Sequence, residues 1–123
     1  MNQMGLFIGT LMQSRNQAHI AHLQATGEGS YASHIALQAY YEGIIPLIDG
    51  ITEAYQGRYG ILTGYMMTGQ IKEDNATYMY FDALSKFVEK IREQIPQDSY
   101  IQNEVDNVVN LIESTKYKLR NLR

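Results

Sequence analysis

His22 and His34 stand either side of the Gly-rich break in HLQATGEGSYASH, and Gln38, Asp49 and Glu53 follow it in the chain. Imidazole and carboxylate together make a donor set suited to iron, zinc or manganese. Cysteine is absent, which excludes thiolate sites, thiol catalysis and disulfides and leaves His, Asp and Glu as the strong ligands. On a helical wheel at about 100° per residue with His34 at zero, Gln38 falls near 40°, Asp49 near 60° and Glu53 near 100°. The apolar residues Leu37, Ile44, Leu47, Ile48, Ile51 and Tyr55 occupy roughly 220° to 320° of that wheel. The ligand-capable residues therefore form one stripe beside the core face. His34 and Asp49 are separated by about 22 Å at 1.5 Å of rise per residue, so one ion cannot take both from one chain. Two copies packed antiparallel about a two-fold axis would bring the Asp49 and Glu53 end of one to the His34 and Gln38 end of the other. His22 would join His34 across the short turn. The plainer readings are histidines that cap helix ends or face water, and an i, i+4 carboxylate pair that is a solvated face.

Four helical segments are expected to carry these residues. The first spans about Asn2 to Ala25, with Leu6, Thr10, Met12, Gln13, Ala18 and Ala21 at helical spacing, and ends at TGEG. The second starts with Ser30 as N-cap and runs to about Gln56, with Ile35 added to the apolar side named above, before GRYG stops it. Pro46 lies within it and predicts a kink. A third runs from about Asn75 to Gln94 on Tyr80, Phe81, Leu84, Phe87, Val88 and Ile91, and Pro96 marks its exit. The fourth follows a QDS cap through Ile101, Val105, Val108, Leu111, Ile112 and Leu119. GRYGILTGYMMTGQIKED, between the second and third, is too apolar to be disordered and must pack on something. Short turns elsewhere and one long middle link fit an all-α, ferritin-like four-helix bundle whose link crosses the bundle's length; an up-down-up-down bundle ranks second.

At 123 residues, one domain over 1–123 is expected, near the size where association with copies aids stability. A net charge of −3 does not suit a nucleic-acid coat. KYKLRNLR does gather Lys116, Lys118, Arg120 and Arg123 at a helix end, which complements the helix dipole, with phosphate or nucleic-acid contact as the sharper alternative. The apolar run in MNQMGLFIGTLMQSRNQAHI is too short to span a bilayer and lacks a basic start, so neither a membrane span nor a signal peptide is expected, and a cytoplasmic protein fits. His19 has no partner in the ligand scheme and reads as a surface or interface residue. The ten tyrosines read as packing residues with wet hydroxyls, or as an electron path for metal oxidation. P-loop and GxGxxG motifs and the Glu-x-x-His of di-iron bundles are absent, which leaves no catalytic residue beyond the metal ligands and no organic cofactor site.

From His22 to Glu53 the sequence resembles Dps proteins, small ferritin-like iron-binding proteins of bacteria. Their pattern is a His, a Gly-containing turn, a second His twelve residues on, and acidic residues four, fifteen and nineteen further. The resemblance implies a dodecameric homo-oligomer that oxidises ferrous iron with peroxide or oxygen at sites shared by two-fold partners, His22, His34, Asp49 and Glu53 being ligands, and stores the mineral inside. Short, diverged chains of this kind also look like phage-encoded proteins. Gln38 stands where the family has an acidic ligand, so affinity, above all for a second ion, should be lower; Leu23 stands where the family commonly has Trp. The competing expectation is a non-enzymatic ferritin-like scaffold with a degenerate metal site, structural or ligand-sequestering in role.

Overall fold

The computed structural model describes residues 2–74 and 76–122. Among these described residues there are four α-helices: α1 (Gln3–Leu23), α2 (Ser30–Tyr59), α3 (Thr77–Ile91) and α4 (Ser99–Asn121). A 3-10 turn spans Arg92–Gln94, and there is no strand among the described residues. The helices form an all-α bundle in which α1 packs on α2, α2 on α4 and α4 on α3, while α1 and α3 meet only lightly. Phe7, Ile8 and Leu11 of α1, Leu37, Tyr40, Ile44, Ile48 and Ile51 of α2, Phe81, Leu84 and Val88 of α3, and Val105, Val108 and Ile112 of α4 make the core. No helix among the described residues is long and apolar enough to cross a membrane.

Local chemistry sets the helix ends. The Asn2 side chain accepts the Gly5 N–H at 2.8 Å and opens α1. Ser30, expected as the N-cap of α2, lies one position inside it; the cap is Gly29, whose φ of 78° is left-handed and favours glycine. The helix continues through Gly57 and Arg58 to Tyr59 and closes on Gly60. It is unbroken at Pro46, which is exposed like Glu42 one turn earlier, so water can replace the missing N–H on that side. Ile35, expected on the core side, is 44% exposed, because the buried seam passes through Ala36, Leu37 and Tyr40 instead. Asn75, the expected start of the third helix, lies outside the described residues; its expected last turn tightens into the 3-10 segment ahead of Pro96.

The long link does pack, and it packs on α1. The Asn2 amide donates to the Thr63 carbonyl, and the Met66 N–H donates to the Gly5 carbonyl at 3.2 Å. Further along, the Gln13 amide donates to the Gly69 carbonyl at 3.1 Å. Gln17 binds Lys72 twice, donating to its carbonyl at 2.8 Å and accepting its N–H at 2.7 Å. The link thus advances in step with α1 from its first turn towards its last. Gly5 and Gly9 permit this approach, since a Cβ on Gly5 would strike the Gly64 carbonyl and one on Gly9 the Met66 carbonyl.

Candidate metal centre

Gly27 and Gly29, with φ of 89° and 78°, turn the chain back sharply after α1, so its last turn faces the first turns of α2. His22 is buried and His34 half-buried at that junction. Their rings stack with centres 3.6 Å apart and planes 21° from parallel. Each Nδ1 lies against the other residue's carbonyl, His22 to His34 at 2.7 Å and His34 to His22 at 3.0 Å. A carbonyl oxygen only accepts, so both Nδ1 atoms carry the proton, and in the neutral rings Nε2 is left with the lone pair a metal needs. Backbone carbonyls orient metal-ligating imidazoles in this way elsewhere. The chemistry of the donors fits an ion; the spacing is tighter than a ligated pair requires. Metal–nitrogen bonds of about 2.0–2.1 Å place two rings on one tetrahedral ion with centres roughly 5 Å apart, so an ion held by both would open the stack.

His19, expected as a surface or interface residue outside the ligand scheme, is half-buried at the same junction. One turn before His22, it stacks on Tyr41 of α2 at 4.4 Å, with its ring 6.1 Å from that of His22. Tyr41 meets His22 edge-on at 5.3 Å, and the Arg15 guanidinium lies 5.3 Å over the Tyr41 ring. The only signal for this cluster in the sequence is helical: Tyr41 lies two turns after His34, on the side that faces α1.

Gln38 is half-buried beyond His34, and its amide makes a long contact of 3.5 Å with Glu42. Glu42 is a carboxylate of the same stripe that the sequence reading passed over; its place one turn after Gln38 was the available clue. Asp49 and Glu53 are exposed on the later half of α2, and Asp49 borders a shallow cavity with Met12, Arg15 and Ile45. The fold therefore brings His22 and His34 together and leaves the two carboxylates apart from them. Among the described residues, no group of three or more His, Asp or Glu side chains could hold an ion.

At the C-terminal end, Lys116 is ion-paired with Asp82 at 2.9 Å and Glu113 at 3.2 Å, and Arg120 donates to the Tyr78 hydroxyl at 3.1 Å. Those two cations are engaged across the α3–α4 seam. Arg123 lies outside the described residues.

No curated protein and no solved structure matches this sequence significantly. A family of unknown function (DUF5856) matches residues 22–119, which includes both stacked histidines and most of the bundle. On that match the chain belongs to the DUF5856 family.

Proposed function

We propose that the chain is a Dps-like, homo-oligomeric metal-binding protein that sequesters iron at sites shared between two-fold related subunits. The observation that carries this reading is the reciprocal Nδ1–carbonyl pairing of His22 and His34, which prepares two Nε2 donors beside the stripe that holds Gln38, Asp49 and Glu53. Register supports the two-fold arrangement. His34 and Glu53 are symmetric about a point between Gly43 and Ile44 of α2, and so are Gln38 and Asp49. One antiparallel pairing of two α2 helices therefore sets both imidazole-end residues across from both carboxylates. Exposed Ile45 beside that point and Met12 next to it on α1 would give the contact apolar surface. A link that runs along α1 is also what a ferritin-like crossover requires, with α2 and α3 pointing the same way. In this reading a cytoplasmic dodecamer takes up ferrous ions as substrate, zinc or manganese being the alternative cargo. Asp49 and Glu53 favour the ferric product, and two ferrous ions give the two electrons that reduce one peroxide to water.

Anaerobic Fe(II) binding, followed by peroxide and ferric absorbance, tests this on wild type and His34→Ala. The expected result is binding and oxidation by wild type and at least a tenfold loss of affinity in the variant. Wild type that binds no metal would remove the reading.

A second reading rests on the 3.6 Å stack itself, which is closer than ligation needs. Here the pair is a clamp that ties the end of α1 to the start of α2 in a non-enzymatic scaffold. It requires His34→Ala to lower the melting temperature while neither protein takes metal.

A further inference from the structure

We infer that Arg15 of one subunit and Glu42 of the other form an ion pair that fixes the register of the two-fold contact. The inference rests on the shared-site reading above and names the surface that would assemble it. Arg15 is half-buried between α1 and α2; its guanidinium lies 5.3 Å over the Tyr41 ring and donates to the Asn16 Oδ1 at 3.2 Å. A guanidinium carries five N–H donors around its edge, so one held face-on to a ring keeps most of them for another acceptor. Among the described residues no carboxylate comes within ion-pair distance of Arg15, although Asp49 borders the same cavity. Glu42 is exposed and has no cation beside it either; its one contact is the long 3.5 Å approach of the Gln38 amide. The two charges do not meet within a chain, because Glu42 lies near 80° on the α2 wheel, turned away from α1, whereas Tyr41 and Ile45 lie near 340° and 20°. Register brings them together between chains. Arg15 sits beside Tyr41, Ile45, Ile48 and Asp49, level with the middle of α2. The antiparallel pairing that sets His34 across from Glu53 also sets Ile45 across from Glu42, which puts Glu42 of the partner subunit level with Arg15. The two-fold axis repeats the contact, giving two ion pairs about the midpoint of α2. The surface around them suits a second copy: Tyr31, Ile35 and Ile45 are 77%, 44% and 42% exposed along the same stripe, and Met12 borders the Arg15 cavity. Opposite charges set into such an apolar contact select one register and disfavour the others.

Sedimentation velocity of the full chain and its charge reversals tests this. Wild type is expected to associate. Arg15→Glu and Glu42→Arg are each expected to weaken association by at least about tenfold, since each sets like charges against each other at two places. Arg15→Glu/Glu42→Arg restores opposite charges with their sense exchanged and is expected to return association to near the wild-type level, and zinc binding at the shared sites with it. Lys90→Glu, the same charge change on the exposed side of α3, is the control and should associate as wild type does. Where Arg15→Glu does not fold, Arg15→Gln, Glu42→Gln and their double take its place: a pair predicts that the second removal costs little once the first is made. Unchanged association in both single variants, or a double variant that shows the two losses in full, would overturn the Arg15–Glu42 pair and leave the shared site standing. Wild type that stays monomeric at every concentration would overturn the shared-site reading itself, and the pair with it.

Discussion

Residue by residue, the sequence made the His pair legible because two histidines that flank a tight turn between antiparallel helices have few places to go except towards each other. His19 was not legible, since its place depends on Tyr41, a residue of another helix. The same limit hid the deepest polar contact. Tyr40 is fully buried against Phe81, ring centres 4.8 Å apart, and its hydroxyl lies 2.7 Å from that of Ser14. Ser14 donates to the Leu11 carbonyl at 2.6 Å, so Tyr40 is the donor between the two hydroxyls. Burial pushes the Tyr40 phenol far above its ordinary range and keeps it a donor. Ser14→Ala would leave that donor without a partner in the core, at a cost of about 1–3 kcal/mol. Tyr40→Phe removes the donor itself and should cost less, about 0.5–1.5 kcal/mol. The double variant is expected to be more stable than the sum of the single losses predicts, and urea unfolding of the four proteins measures the difference. Strict additivity would mean the two hydroxyls do not depend on each other.

Among the elements, α3 and α4 were the easiest to read, because one side of each is apolar and the other is charged. The first helix was the hardest. Phe7, Ile8 and Leu11 face the bundle, while Thr10, Gln13 and Gln17 are also buried, under the link. A helix with two covered sides has no single apolar stripe, so periodicity alone cannot find its core. Its glycines carry the information instead. Gly5 and Gly9 are one turn apart on the side where the link lies against α1, and they read in advance only as weak helix formers. Propensity by itself predicts that alanine at Gly9 stabilises α1. The close Met66 carbonyl reverses the sign: the added methyl must push the link away, and Gly9→Ala is expected to destabilise by about 1–3 kcal/mol. Gly57, near the end of α2, has nothing within reach of a Cβ, so Gly57→Ala is the control and should be neutral or stabilising. Thermal melts of the two variants settle which term dominates. A Gly9→Ala protein as stable as wild type would mean the link is held to α1 more loosely than its hydrogen bonds indicate.

For the whole molecule, the carboxylates are the decisive point. Asp49 and Glu53 belong to the same helix as His34 yet lie too far along it to share an ion, and no other acidic residue joins the stacked pair to make a three-ligand group among the described residues. Half of the proposed site was therefore legible as spacing, while the other half depends on a symmetry that a single chain does not contain. A shared site makes a prediction that no single-chain site does. His34→Ala chains and Asp49→Ala/Glu53→Ala chains should each fail to bind zinc alone, because every site in either homo-oligomer lacks one set of ligands. When equal amounts are unfolded together and refolded, random pairing makes half of the dimers mixed. Each mixed dimer has one site with the histidines of one chain and the carboxylates of the other, and one site that lacks both. Zinc binding should then return to about a quarter of the wild-type capacity. Recovery requires that the imidazoles and carboxylates come from different chains; with all ligands in one chain, the mixture would bind no better than its parts.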